Sequence, residues 1–296
     1  SIDLTERRAI NLTNVSVSPK NKEGKAPKPH FYNLSNLSLN FSYNELNKKD
    51  INTRYNDTKN YLVGLNYSFS KSPRPWEPFK KNSFIRKSKW LELLKDFNLY
   101  LAPKQIGFAT NVNRTYNEFA TRYNFFGGED LEFPQYNKTF NWDRDYTLKY
   151  DLTKALNFDF RAKNRAFVDE PFGKVDYGMF GYEQDTAQNR VSKSLFDDFG
   201  QTMNYNHTFN VNYKWPFSSF PMTDWVTLTT RYTGSYDWTQ APLALPDVGN
   251  VAQNSRQISW NAKLTMKTLY NKMPLLKKEN TKYNGRGGSA KFGKLT

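Results

Sequence analysis

Apolar and polar residues alternate one by one along much of this chain, the signature of β-strands whose two faces meet different surroundings. Leu37, Leu39, Phe41 and Tyr43 alternate with Ser38, Asn40, Ser42 and Asn44. Tyr61, Val63, Leu65, Tyr67 and Phe69 interleave with Asn60, Gly64, Asn66 and Ser68, with Leu62 the one departure. Met203, Tyr205, His207, Phe209, Val211, Tyr213 and Trp215 oppose Asn204, Asn206, Thr208, Asn210, Asn212 and Lys214. Val226, Leu228, Tyr232, Tyr236 and Trp238 share a face, as do Ile258, Trp260, Ala262, Leu264 and Met266. Weaker alternation surrounds Phe108, Trp142 and Phe160. The expectation is an all-β fold of about nine long antiparallel strands, in one segment without a separate soluble domain. They lie near residues 7–17, 34–46, 53–70, 97–123, 137–150, 156–168, 201–215, 225–238 and 255–270. Many exceed the ~5–6 residues of an ordinary strand and reach the ~9–11 of one that crosses a bilayer at a tilt.

Such a pattern suits a soluble barrel with its apolar face inside or a membrane barrel with that face outside. No run approaches the ~18–20 apolar residues of a transmembrane helix, so helical spans are excluded. The mean hydropathy of −0.82 still allows a membrane β-barrel, whose one-sided strands average out as polar. Aromatic residues make up 17% of the chain, which favours strands and would supply interfacial girdles. With no cysteine, disulfides, thiol catalysis and thiolate metal sites are excluded.

The net charge of +15 is segregated by segment. From Lys71 to Lys104 there are nine Lys/Arg against three acids, and from Lys272 to Lys294 seven against one. From Asp169 to Asp198 seven acids face three bases. With antiparallel strands, the connections 18–33, 71–96, 151–155, 216–224 and 271 onward fall at one end. They are mostly basic or proline-containing, and Trp90-Leu91-Glu92-Leu93-Leu94 within them looks helical. The connections 47–52, 124–136, 169–200 and 239–254 fall at the other end and are mostly acidic or Gly/Pro-rich. Two kinds of end are what a sheet dividing two compartments produces. A basic stripe also suits nucleic acid, but segregation by connection fits loop chemistry better, and no nucleic-acid partner is expected.

In the membrane reading, Leu39, Phe41, Leu65, Tyr67, Phe209, Val211, Trp260 and Leu264 are the candidate lipid-facing residues. Asn40, Asn66, Asn206, Asn210, Asn212 and Asn261 are the candidate lumen-facing ones. Arg144 falls on the apolar face, where a mid-bilayer arginine costs ~2–4 kcal/mol; it is therefore expected outside the hydrocarbon band. An odd strand count and two open edges call for further strands, because lipid does not tolerate an unpaired edge. The chain is expected to be part of a larger barrel.

The stretches Phe41-Ser42-Tyr43-Asn44-Glu45, Asp50-Ile51-Asn52-Thr53 and Lys59-Asn60-Tyr61 resemble the SprA/Sov family of type 9 secretion translocons. So do Pro78-Phe79-Lys80, Lys95-Asp96-Phe97-Asn98, Asn113-Arg114 and Tyr136-Asn137-Lys138. The most specific run is Tyr150-Asp151-Leu152-Thr153-Lys154 with Phe158-Asp159-Phe160 and Asp169-Glu170-Pro171. His207-Thr208-Phe209-Asn210-Val211, Asp224-Trp225-Val226 and Leu269-Tyr270-Asn271-Lys272 extend the resemblance nearly to the end. The resemblance implies a giant bacterial outer-membrane β-barrel, several times longer than this chain, that exports folded cargo proteins and, in gliding species, adhesins. It also implies as partners a small outer-membrane cargo-shuttle barrel and a periplasmic plug protein.

The sharper local signals are weak. Asp169-Glu170 next to Pro171 reads as a solvated turn rather than an acid/base pair. His30 and His207 are far apart in the chain, and without cysteine they make no metal site. Gly288 to Lys294 lacks the Ser/Thr of a P-loop, since Leu295 follows. Gly285-Arg286-Gly287-Gly288 reads as a flexible basic loop. No catalytic, cofactor-binding or metal-binding residue and no enzyme activity are expected. The function anticipated is a passive channel wall. The alternatives are a porin or ligand-specific transporter, which predicts charged rings in the lumen, and a soluble carbohydrate-binding β-protein.

Overall fold

The computed structural model describes residues 3–18, 30–80, 92–122, 134–171, 173, 189, 191–195, 197, 199–242, 244–274 and 276–278. Its strands are β1 (Leu4–Ser16), β2 (Leu37–Lys49), β3 (Thr53–Ser70), β4 (Gln105–Thr121), β5 (Gln135–Asp151), β6 (Leu156–Phe167), β7 (Gln201–Lys214), β8 (Val226–Thr239) and β9 (Val251–Leu264). Each pairs antiparallel with its chain neighbours, in the spatial order β1 to β9. The result is one open meander with β1 and β9 as edges, not a closed barrel. The all-β, antiparallel, nine-strand expectation holds at that level. The Trp90–Leu94 stretch contributes a short helix, α1 (Glu92–Lys95), and its first two residues lie outside the described set, as do 279–296.

Strand limits follow partner availability more than residue pattern. The last strand begins at Val251 because Thr239 of β8 is there to pair with it. It ends at Leu264 because β8 begins at Val226; one further bond, from Thr265 N–H to Trp225 O (2.8 Å), closes the ladder. Residues 266–270, expected to extend that strand, form the helix α2 (Met266–Tyr270) instead. Residues 97–104 are likewise no strand, although Trp76 and Leu99 make an isolated bridge.

Two hairpins close tightly. At the β2–β3 turn the Asp50 carboxylate accepts from the Asn52 and Thr53 amides (2.9 and 2.6 Å), as Asp does where it mimics a backbone turn. At the β5–β6 turn the Thr153 hydroxyl accepts from the Ala155 and Leu156 amides (3.1 and 2.9 Å). The β5–β6 register is reinforced by charge: Asp143 opposes Arg165, Asp145 opposes Lys163 and Lys149 opposes Asp159. Opposite charges directly across a ladder contribute ~0.2–1 kcal/mol each.

A conventional core is absent among the described residues. No large side chain is fully buried, and the buried apolar set is Phe69, Tyr116, Ala120, Ala162, Ala166 and Val168. The sheet is a single layer.

Candidate functional site

The chemistry of this protein resides in the two faces of the sheet, because no second layer covers either one among the described residues. The ladder registers put Leu39, Phe41, Leu65, Tyr67, Phe209, Val211, Trp260 and Leu264 on one face. They put Asn40, Asn66, Asn206, Asn210, Asn212 and Asn261 together on the other. The fourteen candidates thus sort onto the two faces as the alternation requires. Large apolar groups on the first face are open to solvent: Leu39 is 39% exposed, Ile258 54% and Trp260 62%.

On this apolar face the hydrophobic stretches form a diagonal band. They occupy 37–43 on β2, 61–69 on β3, 106–112 on β4, 140–150 on β5, 156–166 on β6, 205–213 on β7, 226–238 on β8 and 258–264 on β9. Asn40, at the centre on β2, connects rung by rung through Gly64, Asn111, Asp143, Arg165, Asn204 and Thr239 to Val251. The β9 band is centred on Asn261, ten residues beyond Val251. The intermediate centres move the same way, so the band drifts ~1.4 residues per strand. At ~3.3 Å per residue and ~4.8 Å between strands, that is a tilt of ~45°. Transmembrane barrel strands tilt by ~35–45°. Aromatic pairs lie toward both margins of the band: Tyr43–Tyr61 (4.9 Å) and Tyr205–Tyr236 (6.3 Å) toward one, and Tyr213–Trp215 (5.1 Å) at the other.

Beyond the first margin the same face turns ionic. Arg114 forms an ion pair with Glu170, whose side chain is 5% exposed. Glu170 is therefore a buried clamp across 56 residues of sequence, which corrects its reading as a solvated turn. Lys138 donates to Pro171 O (2.8 Å), and Glu118 accepts from Tyr116 (3.0 Å) and Tyr55 (3.3 Å). At the opposite end Glu77 bridges Lys80 and Lys154, while Asn98 accepts from the Lys154 amide (2.6 Å). Ser219 donates to Asp96 (3.3 Å) and Tyr150 to Tyr100 O (2.8 Å). Three connections are thereby tied into one layer. Lys154 holds the Glu77 carboxyl below its ordinary range, with help from Lys80, and Glu77 raises Lys154 in return. Backbone donation from Thr53, then Lys48, lowers the half-buried Asp50 to about 2.

Arg144 is not outside the band. It lies one residue from Asp145, the centre of the β5 stretch, because the diagonal carries mid-height to a different row on each strand. Its guanidinium sits over the Trp142 ring at 4.8 Å and donates to Asn164 (3.3 Å), while its buried Nε has no hydrogen-bond partner among the described residues. His207 lies nearby on this face among Phe160, Tyr205 and Tyr236 (5.9, 5.6 and 5.4 Å).

On the polar face many amides are already engaged. Asn40 accepts from the Asn14 amide (2.7 Å) at the β1 bulge, Asn210 from Thr233 (2.8 Å), and Asn212 from Arg231 (2.7 Å). Asn117 donates to Asn56 (2.7 Å) and Thr58 (2.8 Å). A charged patch that no sequence reasoning singled out occupies β5 and β6: Asp143, Asp145, Lys149, Asp159, Arg161, Lys163 and Arg165. Its signal was present in the sequence, since the three oppositely charged pairs mirror one another about Lys154.

No protein-family model and no curated protein matches the chain.

Proposed function

We propose that the chain forms part of the wall of a protein-conducting channel in a bacterial outer membrane, of the kind built by type 9 secretion translocons. The supporting observation is the uncovered apolar face, whose hydrophobic band crosses the strands at ~45°, as a tilted membrane strand requires. An estimate of band height agrees. Six residue steps on β2, β4 and β9, eight on β3 and twelve on β8, at ~3.3 Å per step and 45°, span ~14–28 Å, a range that includes the ~25 Å apolar band of such barrels. The export role and its partners (secreted cargo, a cargo-shuttle barrel, a periplasmic plug) rest on the sequence resemblance. The mechanism follows from the faces. Lipid holds the aromatic and aliphatic band, and the polar face lines the water-filled path. Side-chain amides already engaged across strands, such as Asn40, Asn210 and Asn212, offer fewer free groups to passing polypeptides, which keeps contacts brief.

These 296 residues hold no cysteine, so an introduced thiol is the only one within them. Single cysteines placed at Phe41 and Val211, and at Asn66 and Asn206, are exposed to a membrane-impermeant maleimide in native outer membranes. Labelling of the second pair alone, with the first reacting only after detergent, is expected. Equal labelling of all four would falsify the wall assignment. A second reading, a ligand-specific transporter, is favoured by the charged β5–β6 patch. Conductance measurements separate the two, since a pore for folded proteins conducts far more than one for small solutes.

A further inference from the structure

Three cations stand in a row on the polar face of β6: Arg161, Lys163 and Arg165. Two of them are answered by β5. Arg165 contacts Asp143 at 2.9 Å and Lys163 contacts Asp145 at 3.8 Å. Arg161 differs. Its ladder neighbours are Thr147 on one side and Thr208 on the other, and it makes no ion pair with any described residue. It opens into a cleft of about 480 Å³ spanning β5, β6 and β7. The charged groups lining that cleft are Lys149, Arg161 and Lys163 against Asp145 and Asp159, an excess of one positive charge. Two hydroxyls flank the guanidinium, whose planar fork binds a carboxylate through paired hydrogen bonds.

We propose that this cleft is a carboxylate-binding site in which Arg161 holds a singly charged acid between Thr147 and Thr208. The excess charge of one selects the class: a monoanion neutralises the cleft, whereas a phosphate dianion would overshoot beside Asp145 and Asp159. The carboxylate can come from a small organic acid or from an acidic side chain of a polypeptide. The site requires only that the polar face be wet, the same condition on which the wall reading rests. Arg161 is also the centre of the β6 band segment, so the site lies at mid-height of the wall.

The experiment is arginine modification by phenylglyoxal at pH 8 in native membranes, followed residue by residue by peptide mass spectrometry. Arg161 should react faster than its ion-paired neighbour Arg165. Propionate at about twice its Kd should slow the Arg161 reaction roughly threefold, since the free fraction falls as 1/(1 + [L]/Kd). Propionamide should have no effect, inorganic phosphate should protect less than propionate, and Arg165 should be indifferent to all three. A terminally blocked peptide with one glutamate is compared with propionate at equal concentration. Stronger protection by the peptide identifies a polypeptide source, and equal protection a small acid. Reaction of Arg161 without protection by propionate or the glutamate peptide overturns the site and leaves the wall reading standing. Phosphate protecting as well as propionate overturns the monoanion assignment. Failure of Arg161 to react at all means the polar face is not wet, and both readings fall.

Discussion

At the scale of single residues, Arg144 departs most from the pattern around it. In the proposed lipid-facing wall a guanidinium at mid-height would cost ~2–4 kcal/mol, and stacking on Trp142 with one bond to Asn164 would offset only part of that. Arg144→Leu should therefore stabilise the barrel in lipid by ~1–3 kcal/mol, read as a raised urea midpoint; no change or a loss would place Arg144 in a polar contact. Asp50 makes a pH-dependent contribution. Its folded carboxyl lies near 2, below its ordinary 3.8, so the stabilisation is whole above the ordinary value and fades as pH falls through the folded one. Amide exchange at Asn52 and Thr53 should accelerate over that window relative to an Asp50→Asn chain, and identical profiles would refute the assignment. Gly234 is small for a reason of packing. A Cβ there would meet the Phe209 ring at 2.6 Å, the ring that lies over β8 and stacks on Tyr232 (5.6 Å). Gly234→Val should displace Phe209 and cost ~1–3 kcal/mol, the usual penalty of overpacking.

At the scale of elements, the β5–β6 hairpin carries its own register code. A slip of one residue would carry every side chain to the wrong face, and it would also place Asp143 and Asp145 out of line with Arg165 and Lys163. Asp143→Arg should cost ~0.5–1.5 kcal/mol by setting like charges face to face. Adding Arg165→Asp should restore most of that loss. A double variant no better than the single one would show that the charges do not set the register.

At the scale of the whole molecule, the open edges dominate. Every residue of β1 and of β9 is exposed, and each edge presents unpaired backbone groups that hydrocarbon cannot satisfy. Refolded alone into vesicles, residues 1–296 should run as multimers or remain protease-sensitive. A monomeric, protease-resistant species would show that nine strands suffice.

Period-two alternation determined the strands and the sorting of Leu39 from Asn40, or Val211 from Asn212, because neighbouring side chains on a strand must point to opposite faces, and short connections such as 50–52 and 152–155 made neighbouring strands antiparallel. Strand ends escaped that logic. The alternation runs to Met266 and Lys267 and breaks at Thr268 and Leu269, and Met266 to Tyr270, with Met266, Leu269 and Tyr270 at helical spacing, coils into α2 where β8 no longer lies beside it. Depth in the apolar band escaped it too. Arg144 has the same local pattern wherever the apolar band lies, and only the accumulated register of seven ladders sets its height in that band. The Arg114–Glu170 clamp and the unanswered Arg161 have the same origin. Within the β5–β6 hairpin the mirror about Lys154 pairs the charges; beyond it, which charge meets which is decided by turns and bulges that align distant strands, and no local pattern carries that sum.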